Sequence, residues 1–120
     1  MKLEQQVTSL EISKKLKELG VKQESLFYFS RPYPEHQYCV FRQVQNDTKK
    51  DPKISAFTVA ELGEMLPVFV GTEWLQIQPN RSGDYWMVFY GDGQPKMERE
   101  KHLANAVGKM LIYLIENNLI

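Results

Sequence analysis

The chain has 120 residues, of which 42% are hydrophobic and 25% are charged, and its 15 basic and 15 acidic residues balance to no formal net charge. These values predict one soluble globular domain that spans residues 1–120. The charge balance argues against a dedicated nucleic-acid-binding protein and against a polybasic membrane anchor, because both classes depend on a basic excess.

A single cysteine and the lack of long apolar runs indicate the compartment. Cys39 alone excludes an intramolecular disulfide and a multi-cysteine zinc site. No apolar run approaches the roughly 18 residues of a membrane span. The first residues, MKLEQQVTSLEISKK, lack the apolar middle of a signal peptide. We therefore expect a cytoplasmic protein that does not contact a membrane.

The first part of the chain predicts a helix and then two strands. Thr8 and Glu11 have the spacing of a capping box, and apolar residues follow at helical spacing, so a helix is expected over about 9–19. The runs 26–29 and 38–44 are rich in aromatic and β-branched residues and predict strands. The polar stretch QNDTKKDPK that follows predicts a loop.

A short helix and a β-hairpin are expected next. Thr58 and Glu61 repeat the capping-box spacing ahead of an apolar stripe, and Pro67 follows the end of this helix. Residues 74–78 alternate between apolar and polar, which predicts a half-buried strand. After a turn, the run 85–90 is expected to pair back on that strand as a hairpin.

A long last helix completes the predicted order. It is expected from about 98 to 118, with an apolar face that contains Leu103, Val107, Met110, Leu111, Leu114 and Ile115. The predicted order is helix, strand, strand, helix, strand, strand, helix, with short turns between consecutive strands. This order predicts the α+β class, with an antiparallel sheet of about four strands and three helices.

The run YWMVFY at 85–90 carries large side chains on both faces of its predicted strand. Because three helices can cover only one face of the sheet, the other face either meets a partner or is covered by the segments 45–57 and 67–73. Both alternatives stay open. The partner would be another protein or a second copy of the chain, and Trp and Tyr are typical of such interfaces. The candidate interface residues are Phe27, Phe29, Trp74, Trp86 and Tyr90.

Catalytic and metal-binding patterns are weak. His102 stands at helical spacing from Glu98, but a solvated pair explains this spacing better than a metal site does. Cys39 is expected to be a buried, inert thiol within a strand. Two pairs of glutamates suit the beginnings of helices, where negative charge is stabilising: Glu61 with Glu64, and Glu98 with Glu100. We therefore predict a non-enzymatic protein with no catalytic residue, no metal ligand and no cofactor.

The leading hypothesis is a protein-binding or regulatory module that acts through a sheet face. The alternative is binding of single-stranded nucleic acid, since aromatic sheet residues with nearby cations stack bases in some folds. The cations in question are Arg31, Arg42, Lys49, Lys50 and Lys53. An aromatic core is the commoner use of such rings, so nucleic acid is the less favoured partner.

Three stretches of the chain resemble a family of small uncharacterised proteins encoded by bacteriophages and prophages. These stretches are VTSLEISKKLKELGVKQESLFYF, FTVAELGEMLP and KMLIYLIENNLI. The resemblance runs in order through nearly the whole chain. It implies a phage-associated intracellular protein, and it carries no activity, cofactor or site residue with it.

Overall fold

Four helices and seven strands form the part of the chain that the structure describes. This structure, a computed structural model, describes residues 2–31, 33, 35–42, 52–91 and 97–120. The α+β class predicted from the sequence is confirmed. In chain order the elements are α1 (Leu3–Gln6), α2 (Leu10–Glu18), β1 (Phe27–Ser30), β2 (Cys39–Phe41), β3 (Ile54–Ala56), α3 (Val59–Met65), β4 (Phe69–Val70), β5 (Glu73–Pro79), β6 (Trp86–Tyr90), β7 (Met97–Glu100) and α4 (Leu103–Glu116).

The strands form two antiparallel sheets, whereas the sequence predicts a single sheet of about four strands. The first sheet has the order β2-β1-β3, and the second has the order β4-β5-β6-β7. The predicted hairpin of β5 and β6 is confirmed, with Ile77 opposite Val88. The sequence does not reveal β3 and β4 because they are only three and two residues long, too short for an alternating pattern.

The two strands predicted in the first part of the chain are both found. β1 lies one residue beyond the predicted run 26–29, and β2 lies inside the predicted run 38–44. Residues 43–51 lie outside the described residues. They hold the end of the second predicted strand and most of the predicted polar loop.

Two helices begin at a side chain that accepts a backbone N–H. At α3 the predicted capping box is confirmed: Thr58 Oγ1 accepts from the Glu61 amide at 3.3 Å, and Glu61 Oε1 accepts from the Thr58 amide at 3.0 Å. At α2 the predicted cap is wrong by one residue. The N-cap is Ser9, whose Oγ accepts from the Ile12 amide at 3.3 Å.

Thr8 is fully buried and joins three segments of the chain. Its Oγ1 lies 2.7 Å from Ser13 Oγ in α2 and accepts from the Phe57 amide at 3.1 Å, ahead of α3. Its own amide donates to Phe57 O at 2.9 Å. A buried hydroxyl is costly unless it is hydrogen-bonded, so these partners explain why a threonine is stable inside the protein.

The last helix is shorter than predicted because the residues ahead of it form a strand. Residues 97–100 pair with β6 as β7, and α4 begins at Leu103 with His102 as its N-cap residue. Glu98 and His102 therefore do not share a helix, and the pair Glu98–Glu100 does not begin one. Both of these predictions are wrong, since pairing with β6 determines the conformation of a segment whose own pattern is weak.

Two apolar cores lie on the helix-covered sides of the sheets. The main core joins α4 to α2, α3 and β6, and the predicted apolar face of α4 is confirmed as part of it. Its buried residues are Ile12, Leu16, Phe57, Leu62, Leu66, Val88, Tyr90, Ala106, Val107, Met110, Leu111 and Leu114. The second core lies between the first sheet and the N-terminal segment, and its buried residues are Val7, Phe29, Ile54 and Ala56.

Gly108 determines how closely α4 approaches α2. A Cβ atom at this position would lie 2.9 Å from Ile12 Cγ2 and 3.0 Å from Thr8 Cγ2, and both of these residues are buried. Neighbours in a close-packed interior have little room to move. A side chain at position 108 therefore requires the two helices to separate.

We expect Gly108→Ala to lower the free energy of unfolding by about 1–3 kcal/mol, because overpacking outweighs the gain in helix propensity of roughly 1 kcal/mol. Gly63→Ala in α3 is the matched control. A Cβ atom at Gly63 meets no atom within 4 Å, so the free energy of unfolding of this variant should rise by about 0.5–1 kcal/mol. Urea denaturation measures the free energy of unfolding of both variants. A higher value than wild type for Gly108→Ala as well as for Gly63→Ala would contradict the tight contact at Gly108.

Candidate functional site

The second sheet has one face toward the helices and one face away from them. Val88 and Tyr90 of β6 are buried in the main core, and Trp86 packs against it. Because side chains alternate along a strand, Met87 and Phe89 point to the opposite face, which we call the outer face. The predicted division of the run 85–90 between two faces is confirmed.

Phe69 and Trp74 form an exposed aromatic pair on the outer face, and we call this pair the Phe69–Trp74 surface. The two residues lie opposite each other in β4 and β5, with ring centroids 6.1 Å apart and an angle of 29° between the ring planes. Leu75 packs against the main core, so its neighbour Trp74 points outward. The exposed fractions are 53% for Phe69 and 61% for Trp74.

A two-residue turn places the two rings side by side. Gly71 has a φ of 62° at the first position of this turn, a conformation that glycine adopts without strain. The Leu75 amide donates to Val68 O at 2.9 Å, so these two residues form a hydrogen-bonded pair. Phe69 and Trp74 are then the adjacent non-hydrogen-bonded pair, in which facing side chains are closest.

The five predicted interface residues do not share one surface. Trp74 is exposed, whereas Trp86 is half-buried against the main core and Phe27 is half-buried against the second core. Phe29 and Tyr90 are buried, with exposed fractions of 8% and 4%. The expectation that these two residues face a partner is wrong, because both point to the helix-covered sides of their sheets.

Sequence reasoning missed Phe69, which the prediction placed in a loop. The signal that identifies it is the stretch VFVGTEW at 68–74. There a glycine follows an apolar run, and a two-residue connection leads to the next strand. A hairpin with glycine at the first turn position places position 69 opposite position 74.

The chain around the Phe69–Trp74 surface is acidic. Residues 54–80 contain three glutamates and neither lysine nor arginine. Glu61 caps α3 and accepts from the Leu26 amide at 3.0 Å. Glu64 in α3 and Glu73 beside Trp74 are exposed, and neither forms an ion pair with a described residue.

Among the clefts lined by described residues, two border α4. The larger one, of about 510 Å³, lies between α2 and α4 and contains the ion pair of Lys109 with Glu100. The hydrogen bond and charge of Glu100 hold the pKa of Lys109 above its ordinary value. A lysine attacks only as the free amine, so this geometry opposes covalent catalysis by Lys109. The smaller cleft, of about 340 Å³, is lined by Trp86 and His102 among other residues.

Cys39 is exposed, although the sequence predicts a buried thiol. Its neighbour in β2, Val40, packs against the second core, so the Cys39 side chain points to the opposite face of the first sheet. His36 contacts the Tyr33 ring, with centroids 5.1 Å apart.

In the described ranges, no group of three or more His, Cys, Asp or Glu side chains is placed to hold a metal ion. No helix in the same ranges combines the length and apolar character needed to cross a bilayer.

Cations lie over two tyrosine rings beside the first sheet. Lys53 Nζ is 4.5 Å from the centroid of the Tyr28 ring. Lys14 Nζ and Arg31 Cζ lie 5.4 Å and 5.0 Å from the centroid of the Tyr38 ring. Of the other predicted basic residues, Arg42 is exposed, and two lie outside the described residues: Lys49 and Lys50.

Comparison with known proteins gives no match. No family model matches the chain, no curated protein matches it, and no solved structure matches it. The resemblance to phage-encoded proteins therefore stays a prediction, and the candidate site rests on the geometry of the chain itself.

Tyr90 connects the main core to β4. Its Oη donates to Pro67 O at 2.7 Å, just ahead of that strand. Burial raises the pKa of Tyr90 from its ordinary value of 10.0 to about 12, because the phenolate would lose its hydration inside the protein.

We expect the free energy of unfolding to fall as the pH rises from about 10 to about 12. Below this window Tyr90 is protonated in both states. Within it the folded chain keeps a proton that the unfolded chain has lost, so unfolding becomes easier as the pH rises. Urea denaturation across the window measures this slope. Tyr90→Phe should make the slope shallower, because it removes the group whose pKa differs between the folded and unfolded chain. Equal slopes in wild type and Tyr90→Phe would contradict the assignment.

Proposed function

We propose that the chain is a non-enzymatic protein-binding module that holds its partner on the Phe69–Trp74 surface. The observation that carries this proposal is the exposure of two large, stacked rings on the outer face of the second sheet. Contiguous exposed apolar side chains are typical of binding sites. Tryptophan in particular is enriched among the residues that dominate binding energy.

The energy available at these two rings supports the proposal. Full burial of one large apolar side chain is worth about 1.5–3 kcal/mol. Phe69 and Trp74 each keep more than half of their surface in water, so a partner can gain much of this energy from each ring. We place this module in the cytoplasm, and the resemblance to phage- and prophage-encoded proteins suggests an infected or lysogenic bacterial cell.

Selection of peptides from a random display library tests the proposal. We expect the wild-type chain to enrich peptides whose affinity falls at least about tenfold in Trp74→Ser, because this variant removes the larger ring of the surface. Fluorescence anisotropy with the labelled peptides measures the affinities. In urea denaturation, the free energy of unfolding of Trp74→Ser should be only about 1 kcal/mol below that of wild type, the contribution of one aromatic pair.

Leu26→Ser is the matched control for this selection. Leu26 is exposed to a similar extent, 53%, but lies beside the first sheet. Leu26→Ser should therefore bind the selected peptides with the same affinities as wild type. Selected peptides that bind Trp74→Ser as tightly as wild type would show that the surface is not the binding site.

A second candidate function is binding of single-stranded nucleic acid beside the first sheet. The observation that favours it is the position of Lys53 over the Tyr28 ring, with Lys14 and Arg31 over the Tyr38 ring. Cations next to aromatic rings suit a ligand with phosphates and stacking bases. The lack of a net charge makes this the weaker candidate.

Anisotropy of a labelled oligothymidylate, measured from low to high salt, tests the second candidate. If the chain binds the strand, affinity should fall as salt rises. Lys53→Gln should then make the slope of log affinity against log salt concentration shallower by up to about 1, the contribution of one phosphate contact. Lys22→Gln, at an exposed lysine that pairs with Glu24, is the control. No binding at low salt would exclude this function.

A further inference from the structure

We propose that the smaller cleft beside α4 binds a small aromatic anion. No residue of the Phe69–Trp74 surface lines this cleft, so the site is separate from the one in the proposed function. Three observations carry the proposal: apolar walls that include the Trp86 ring, the unpaired charge of Lys101, and two backbone amides of α4 that lack an acceptor.

Four segments meet around this cleft. They are α1, the first turn of α3, the start of β6, and the residues that lead from β7 into α4. Its walls are largely apolar, since Val59, Ala60, Leu103 and the half-buried Trp86 line it. An apolar lining with a few polar groups is typical of small-molecule sites. The cleft has a volume of about 340 Å³, and water occupies about 30 Å³ per molecule in the liquid, so a ligand of roughly a dozen non-hydrogen atoms fits.

The Trp86 ring offers a flat apolar surface to the ligand. Trp86 is the first residue of β6, and it packs against the main core while it lines the cleft. A ring that is already held by packing loses little conformational freedom when a ligand stacks on it. Pairs of aromatic rings are also stabilised beyond the area that they bury. An aromatic ligand therefore fits this wall better than an aliphatic one does.

The charge of the lining selects an anion. Lys101 lines the cleft, is exposed, and forms no ion pair with a described residue. Three carboxylates are next to lining residues in the chain, but none of them lines the cleft. Glu4 is exposed on α1, Glu61 caps α3, and Glu100 pairs with Lys109. In the described part of the chain, the lining thus carries a positive charge and no negative one.

Two backbone amides favour the same kind of ligand. The N-cap residue of α4, His102, makes no side-chain hydrogen bond to cap the helix, and its carbonyl accepts from two later amides. The amides of Leu103 and Ala104 have no acceptor among the described residues, and both residues line the cleft. Ala104 is 1% exposed, and a buried N–H without an acceptor is costly. A carboxylate in the cleft would accept from these amides beside Lys101.

The larger cleft, between α2 and α4, does not suit this ligand. Its two lysines, Lys15 and Lys109, are both ion-paired. Three glutamates line it, so its lining is negative overall. The two clefts therefore differ in the sign of the ligand that they favour.

Titration of the isotope-labelled full chain with naphthoate, followed by amide NMR spectra, tests the proposal. Naphthoate is a two-ring carboxylate of the size that fits the cleft. Naphthylmethanol and naphthylmethylammonium are matched neutral and cationic ligands with the same rings. The chain has two tryptophans, so the indole N–H signals of Trp86 and Trp74 report separately on the cleft and on the Phe69–Trp74 surface.

The variants change the charge of the cleft at exposed positions. Lys101→Gln removes the cation, and Lys22→Gln is its control at a lysine outside the cleft. Ala60→Glu brings a carboxylate to the cleft, and Ala60→Gln is its control of equal size without the charge. Ala60 lies in the first turn of α3, where a glutamate suits the helix.

We expect naphthoate to shift the indole signal of Trp86 and the amide signals of Leu103 and Ala104, and to leave the indole signal of Trp74 in place. The neutral ligand should bind more weakly than naphthoate, and the cationic ligand should bind most weakly. This order follows from the positive lining of the cleft.

The affinity for naphthoate should depend on the charge of the cleft. It should fall roughly two- to tenfold in Lys101→Gln, the range for a charged partner at a partly exposed site, and should not change in Lys22→Gln. Ala60→Glu should bind naphthoate at least about fivefold more weakly than Ala60→Gln, because like charges repel.

Four results would overturn the proposal. These are no shift of the Trp86 indole signal, binding of the cationic ligand as tight as that of naphthoate, equal affinity in Lys101→Gln and wild type, or equal affinity in the two Ala60 variants. A shift at Trp74 alone would place naphthoate on the Phe69–Trp74 surface and would equally overturn it. The proposed function stands or fails separately, on the dependence of the display peptides on Trp74.

Discussion

Helices α2 and α4 meet at Gly108, where the absence of a side chain lets Ile12 and Thr8 lie against the α4 backbone. The rest of the structure depends on this contact. It brings Asn105 Oδ1 within 2.7 Å of the Ser9 amide, so α4 satisfies a donor at the start of α2. It also buries Thr8, whose hydroxyl and backbone bind Phe57 on the approach to α3. One close approach thus fixes three segments that are far apart in sequence.

The same helix leads from the core to the candidate site. α4 packs against α3 and β6 in the main core, and Tyr90 of β6 extends from this core to the carbonyl of Pro67. That hydrogen bond holds Pro67, two residues ahead of β4. The position of Phe69 beside Trp74 is therefore determined by packing behind the sheet as well as by the turn at Gly71.

The sequence predicts the elements whose signals are local and strong. The capping box at Thr58, the apolar face of α4 and the hairpin of β5 and β6 need only neighbours in sequence. β7 and the burial of Thr8 depend on distant partners, so no local pattern reveals them. For the site, Trp74 was predicted and Phe69 was not, because a two-residue strand has no measurable alternation.

The brevity of β4 has a consequence for assembly. An open edge that carries aromatic rings invites polymerisation, in which each chain templates the next as in a fibril. In this chain Pro67 has no N–H to offer, and Gly71 turns the backbone back toward β5 with a φ of 62°. Only Val68, Phe69 and Val70 lie between Pro67 and Gly71, and only the last two belong to β4. The edge is long enough for one short pairing, but the flat, extended template that a growing fibril needs is missing.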